Sequence, residues 1–271
     1  MSRQPSRDHR AGGRRAHALT PVSGFLPRDL PAAFLHLIFP SPCEICRQPL
    51  DLDRVSVLCG GCWSRLERMA AGGCARCGWP FPDPAGLRGV ETPLCQRCRE
   101  TRDHFRLARS VLRYREDGVA RAAILLAKHG RRLPLLMHLA RLLAEEAPKQ
   151  LPLAEWDALV PVPLHWTRRW RRGFNQAEVL SRAVARRHGL PVLRRVLRRS
   201  RATPPQQGDV EARRRNVRDA FAVTAEVVVA GRRLLLVDDV FTTGATVDAC
   251  ARALSRAGAA DVGVLTLARV E

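Results

Sequence analysis

The stretch that most constrains this chain is Leu234-Leu235-Leu236-Val237-Asp238-Asp239-Val240-Phe241-Thr242-Thr243-Gly244-Ala245-Thr246. It begins with an apolar run too short for a helix, which predicts a buried parallel strand. The run is expected to stop abruptly at two adjacent carboxylates. After Val240 and Phe241 come small side chains and hydroxyls, then an amphipathic segment from Val247 to Ala257 that ends at Gly258. Strand, acid pair, small-residue loop and helix, in that order, make an anion cradle. Loop amides and the helix N-terminus point at the anion, and small side chains let the backbone approach it. The loop is neither a Walker A loop nor a Gly-x-Gly-x-x-Gly turn. Two carboxylates beside a phosphate would repel it unless they serve another purpose. Asp238 and Asp239 suit the vicinal hydroxyls of a ribose, and would help hold a Mg²⁺ that offsets the ligand's charge. A sugar 5-phosphate fits this stretch better than the plainer reading, a strand end with an Asp cap and a Thr-rich turn.

The cysteines impose a second constraint. Eight of the nine fall into four C-x2-C pairs: Cys43/Cys46, Cys59/Cys62, Cys74/Cys77 and Cys95/Cys98. One such turn places two thiolates on a tetrahedral metal, and two turns complete a four-cysteine site. Eight thiolates suffice for two structural Zn²⁺ ions. Iron–sulfur ligation is the rival chemistry. Spacing leaves three ways to pair the knuckles, of which sequential pairing is one. The large apolar residues of this block (Leu58, Trp63, Leu66, Trp79, Phe81) are scattered among Gly, Pro and charge. Metal is therefore expected to supply most of its folding free energy, on the order of 10 kcal/mol per zinc. Cys250 stands alone on the helix after the loop and reads as a small core residue.

At 271 residues the chain has room for one sizeable domain and a small one. No apolar run approaches the length of a membrane span, and no signal peptide is recognised near the N-terminus. Reduced thiols then point to the cytoplasm. The net charge is +20, carried almost wholly by arginine. Between Pro161 and Ala220, sixteen arginines face four acids (Glu178, Asp209, Glu211, Asp219). Such an excess suits a polyanion or a phosphorylated substrate. A single tyrosine leaves few stacking platforms for bases.

From Phe105 onward the hydrophobic pattern alternates between strand and helix. Leu107–Tyr114, Trp156–Val162 and Asp261–Ala268 read as strands; Asp117–Lys128, Leu133–Glu146 and Phe174–His188 read as helices. Alternation of this kind implies a parallel α/β sheet with its site at the carboxyl ends of the strands. Residues 1–27 read as a disordered basic tail, and Asp29–Phe39 as a short helix. Three further stretches carry chemistry. Lys128-His129-Gly130-Arg131-Arg132 closes a helix and serves equally well as a cationic cap or a ligand group. Arg168, Arg169, Arg171 and Arg172 run into Gly173-Phe174-Asn175-Gln176 at a helix start, where arginines grip pyrophosphate oxygens bidentately, although charge runs usually face solvent. Thr203-Pro204-Pro205-Gln206, followed by Arg213-Arg214-Arg215-Asn216, has the composition of a mobile loop or of a plain linker.

Val237–Thr246 resembles the phosphoribosyl pyrophosphate (PRPP) motif of the phosphoribosyltransferases without a gap. The paired cysteines, Lys128-x-Gly130, Val160-Pro161-Val162-Pro163-Leu164, Arg171–Ala177, Thr203–Gln206 and Arg213-x-x-Asn216 together resemble the ComF family over about residues 30–271. That resemblance implies a double zinc ribbon over residues 28–104 and a type I phosphoribosyltransferase-like α/β domain over 105–271. It implies PRPP held by Thr242, Thr243, Gly244, Ala245 and Thr246, with Lys128, Arg131, Arg171, Arg172, Asn175 and Gln176 around it. Asp238 and Asp239 become the catalytic pair, and Gln206, Arg213 and Asn216 the mobile loop. The implied role is natural transformation: cytosolic handling of single-stranded DNA beside a DNA-uptake helicase or other competence proteins. Alternatives are a nucleic-acid-binding adaptor on a degenerate enzyme fold, a nucleotide-salvage phosphoribosyltransferase, or a zinc-stabilised scaffold.

Overall fold

The computed structural model describes residues 42–50, 57–81, 93–129, 132–165, 170, 173–199 and 220–271. The basic tail, the Asp29–Phe39 helix and residues Arg131, Arg171, Arg172, Gln206, Arg213 and Asn216 lie outside the described residues. In chain order the first elements are α1 (Gly60–Ser64), α2 (Gln96–Glu100), β1 (Leu107–Tyr114), α3 (Val119–His129), α4 (Leu133–Gln150) and β2 (Ala158–Pro161). Then come α5 (Gln176–His188), β3 (Leu197–Arg199), β4 (Phe221–Val223), α6 (Glu226–Val229), β5 (Arg233–Phe241), α7 (Ala245–Arg256) and β6 (Asp261–Val270).

Four strands form a parallel sheet in the order β1-β6-β5-β2, and β3 and β4 pair antiparallel beside it. The apolar run of β5 works through the two-residue period of a strand. Leu234 and Leu236 join Val262, Val264 and the α7 residues Val247, Cys250 and Leu254 on one face. Leu235 and Val237 join Leu265, Leu267 and the leucines of α4 on the other. All four β5 side chains are fully buried, each contributing roughly 1.5–3 kcal/mol. A strand covered on both faces cannot alternate with polar residues, which is why the sequence shows a continuous apolar run.

Two element ends differ from the sequence expectation. The strand does not stop at the acid pair: β5 continues to Phe241, because Asp238, Val240 and Phe241 keep register with Thr266, Ala268 and Arg269 of β6. Backbone pairing carries the strand past the point where its side chains leave the core. Helix α4 runs four residues beyond the expected Glu146, through Pro148. Proline has no N–H to give the carbonyl one turn back. That carbonyl, of Ala144, instead accepts from His188 Nε2 at the end of α5, 2.7 Å away.

The cysteine-rich segment belongs to the same compact unit, residues 41–271. It covers the outer edge of β1: Met69 N–H donates to Val111 O (2.7 Å), Arg113 N–H to Glu67 O (2.9 Å) and Ala108 N–H to Arg76 O (2.6 Å). An open sheet edge is thereby closed. Cys250 is buried in α7, and burial pushes its thiol well up.

Candidate functional site

The metal sites are built from a repeated pair of turns. Arg47 and Gly78, each following the second cysteine of a knuckle, have φ of 64° and 68°. Their N–H groups donate back to Cys43 O (3.0 Å) and Cys74 O (2.8 Å). Cys59 and Cys95 each open a short helix with φ −68° and ψ near 160°. The sulfurs gather as Cys43, Cys46, Cys59 and Cys62 in one group and Cys74, Cys77, Cys95 and Cys98 in the other, all within 4.8 Å of one another. Of the three pairings, the sequential one is adopted. Cys46 and Cys59 sulfurs are 3.5 Å apart, and those of Cys77 and Cys95 are 3.7 Å apart. A tetrahedral zinc with ~2.3 Å bonds needs edges of about 3.8 Å, so each group fits one ion. The hydrogen bond from Cys77 lowers the Cys74 thiol below its ordinary value.

The second site is a cleft of about 280 Å³ at the carboxyl end of the sheet. Every parallel strand contributes to it: Tyr114 ends β1, Val162–Leu164 follow β2, Asp238–Val240 belong to β5 and Val270 ends β6. Thr242 and Thr246 close one wall. Gly244 takes φ +79° immediately before α7, and Thr243 Oγ1 accepts from Ala245 N–H at 3.4 Å. Only a residue tolerant of positive φ allows the strand to turn this tightly into the helix.

The acid pair is held in two different electrostatic states. Lys128 Nζ lies 2.9 Å from Asp239 Oδ2, with both side chains more than four-fifths buried. Among the described residues Asp238 has no such partner at contact distance; its Oδ1 accepts from Asp239 N–H at 2.9 Å. Burial, and then the Asp239 charge, push Asp238 up to about 7, while Lys128 and Arg199 pull the other way. Asn175 and Gln176 also line the cleft. Asn175 uses both polar ends on backbone: Oδ1 caps α5 by accepting from Ala177 N–H (3.2 Å), and Nδ2 donates to Val162 O (3.0 Å). It shapes the wall rather than offering a free group.

The structure thus brings Lys128, Asn175, Gln176, Asp238, Asp239, Thr242 and Thr246 to one cavity, with Thr243, Gly244 and Ala245 in the turn beneath it. Two polar lining residues were not singled out from sequence. Tyr114 is readable as the last residue of a parallel strand, where ligands gather. Arg199 belongs to the arginine run 194–199 but carries no motif of its own. A second recess of about 290 Å³ adjoins the cleft, shares Pro163, Leu164, Asn175 and Arg199 with it, and adds Arg194, Arg195 and Arg198.

A parallel sheet whose central strand carries an acid pair into a Thr-Thr-Gly turn, joined to two four-cysteine groups, defines a phosphoribosyltransferase-like protein with a double zinc ribbon. Sequence profiles agree: Double zinc ribbon domain matches residues 34–99 and Phosphoribosyl transferase domain matches residues 170–271. The DNA utilization protein YhgH of Salmonella typhimurium is 35% identical over 239 residues, covering 86% of this chain and 99% of the relative. Competence protein F of Haemophilus influenzae is 38% identical over 141 residues, covering 51% of this chain and 60% of the relative. The chain belongs to the ComF family. Among solved structures, a glutamine PRPP amidotransferase from B. subtilis aligns at 24% identity and a TM-score of 0.34, over 48% of this chain and 25% of that one.

Proposed function

We propose that the cleft binds Mg²⁺-PRPP and serves phosphoribosyl transfer within a cytoplasmic DNA-handling role in natural transformation. The observation that supports this most is the convergence of Asp238, Asp239, Lys128 and the Thr242–Thr246 turn on one cavity at the strand ends. The turn amides and the N-terminus of α7 would hold the 5-phosphate. Asp238 and Asp239 would accept from the 2- and 3-hydroxyls of the ribose, fixing the ring face. Lys128, paired with Asp239 and lining the cleft, would turn to the leaving pyrophosphate. Magnesium, held through the acid pair and the ligand, would supply charge neutralisation as the pyrophosphate leaves. The C1–oxygen bond to pyrophosphate breaks with its electron pair, and the acceptor's lone pair closes on C1. Calorimetry with PRPP and Mg²⁺ tests the reading: no binding heat, or full binding by an Asp239→Asn plus Thr243→Ala double variant, removes it. Pyrophosphate release with and without single-stranded DNA and candidate bases then tests turnover.

A second reading, single-stranded DNA binding without turnover, is favoured by the arginine-lined recess and by Trp170, 85% exposed between arginine pairs in the sequence. Phosphates on Arg194, Arg195 and Arg198 with a base stacked on Trp170 make the needed combination. Competence proteins of the uptake machinery are the expected partners of such a complex. Labelled-oligonucleotide anisotropy from low to high salt tests it, since phosphate contacts give a steep salt slope. Salt-insensitive or absent binding argues against it.

A further inference from the structure

Phe241 ends β5 three residues before Gly244 and is 1% exposed. Its ring is held on several sides. Phe105 meets it edge-on at 6.2 Å, the Arg269 guanidinium lies 4.6 Å from its centroid, and that of Arg97 lies 5.8 Å away. Both arginines are anchored in the second four-cysteine group. Arg269 is 3% exposed, donates from Nη1 to Cys77 O at 2.7 Å, and stacks on Trp79 at 5.0 Å. Arg97 directly precedes Cys98 and donates from Nη2 to Asp103, whose side chain is 1% exposed. Arg269 Nη2 also donates to Cys77 Sγ at 3.6 Å, whereas Arg97 Nε and Nη1 and Arg269 Nε are buried without hydrogen-bond partners among the described residues. These cations are therefore placed by ring stacking and a few anchor bonds, and they lose much of their environment if Phe241 moves. The fit reaches the phosphate turn: a Cβ on Gly244 would meet Phe241 Cζ at 2.8 Å and Arg97 Nη2 at 3.1 Å.

We infer that Arg97 and Arg269 are positioning residues for the Thr242–Gly244 turn, so that the Cys74/Cys77/Cys95/Cys98 site and the phosphate turn form one mechanical unit. This rests on the PRPP reading of the cleft. The two sites are linked by packing, and linkage is reciprocal: whatever the metal site contributes to ligand affinity, ligand must return to metal retention. The other four-cysteine group supplies an internal control. It packs on α4 instead, with the Trp63 ring edge-on to His138 at 6.5 Å and Cys62 among the α4 leucines.

The test uses the full zinc-loaded chain. A chelator and a thiol-alkylating reagent are added with and without Mg²⁺-PRPP, and labelling of each cysteine is followed by peptide mass spectrometry. Binding is measured in parallel by calorimetry. PRPP is expected to slow labelling of Cys74, Cys77, Cys95 and Cys98 at least about fivefold, and that of Cys43, Cys46, Cys59 and Cys62 less than about twofold. Arg97→Gln should abolish the selective protection and weaken PRPP binding, and Arg97→Lys should restore part of both. A purely structural role for Arg97 would alter labelling equally with and without ligand. Equal protection of both groups, or binding heat without selective protection, overturns the inference alone. A wild type that gives no binding heat overturns the ligand reading and this inference with it.

Discussion

Asp238→Asn should make the free protein more stable at alkaline pH while weakening the proposed PRPP binding. The native carboxyl titrates at about 7 against an ordinary value of 3.8. Those ~3 units correspond to about 4 kcal/mol at most, at 1.36 kcal/mol per unit. Solvent reaching the partly exposed side chain screens roughly half, leaving ~2 kcal/mol. The sign follows from proton binding. Between pH 4 and 7 the native state holds a proton that the unfolded chain has released, so stability falls as pH rises and the loss is complete above 7. Asparagine has no proton to lose, and its Oδ1 can still accept from Asp239 N–H as Asp238 does at 2.9 Å. Thermal unfolding of wild type and variant should nearly coincide at pH 4.5 and separate by about 4–8 °C at pH 8, the variant melting higher. Calorimetry of the same variant should show PRPP affinity reduced at least about tenfold, for one lost charge-assisted hydrogen bond. An offset that does not change with pH, or a variant less stable at pH 8, refutes a destabilising charge at this position.

Other substitutions test the packing around the sites. Gly244→Ala forces a Cβ to 2.8 Å from Phe241 Cζ at φ +79°, and should cost about 1–3 kcal/mol in thermal unfolding and remove PRPP binding. His188→Ala leaves the Ala144 carbonyl without its 2.7 Å donor. It should cost about 1–3 kcal/mol by urea denaturation, partly recovered by His188→Gln. Elemental analysis should find two zinc ions per chain, falling to about one in Cys62→Ser and in Cys98→Ser, because the two groups are separate.

The fold was legible where local chemistry and tertiary demand coincide. The run Leu234–Val237 reads as a two-faced buried strand because both its faces are in fact covered, by α7 and by α4. Equal C-x2-C spacing announced two metal groups, but their pairing depends on chain reversal between knuckles, which spacing does not encode. The end of α4 was misread because Pro148 is a stop signal only when its orphaned carbonyl finds no donor, and His188 lies 44 residues away in the chain. The strand end was misread because the side-chain pattern changes at Asp238 while backbone pairing with β6 continues. In the cleft, motif residues were visible. The ion pair of Lys128 with Asp239 was not, since it joins α3 to β5 across the sheet. Arg97 and Arg269 were invisible as partners of Phe241, because nothing local marks an arginine that stacks on a distant ring.

The knuckle repeat has a consequence for how the protein acquires metal. Arg47 and Gly78 share one turn, Cys59 and Cys95 share one helix start, and both groups present four cysteine sulfurs. Two sites with the same ligands and backbone have nearly the same intrinsic affinity and the same ranking of competing ions. Any order in which they fill must then be set by what surrounds them, α4 for one and β6 with the Thr242–Gly244 turn for the other. Loading order in a metal titration is thus a direct reading of how firmly each half of the ribbon is docked, with either site calibrating its twin.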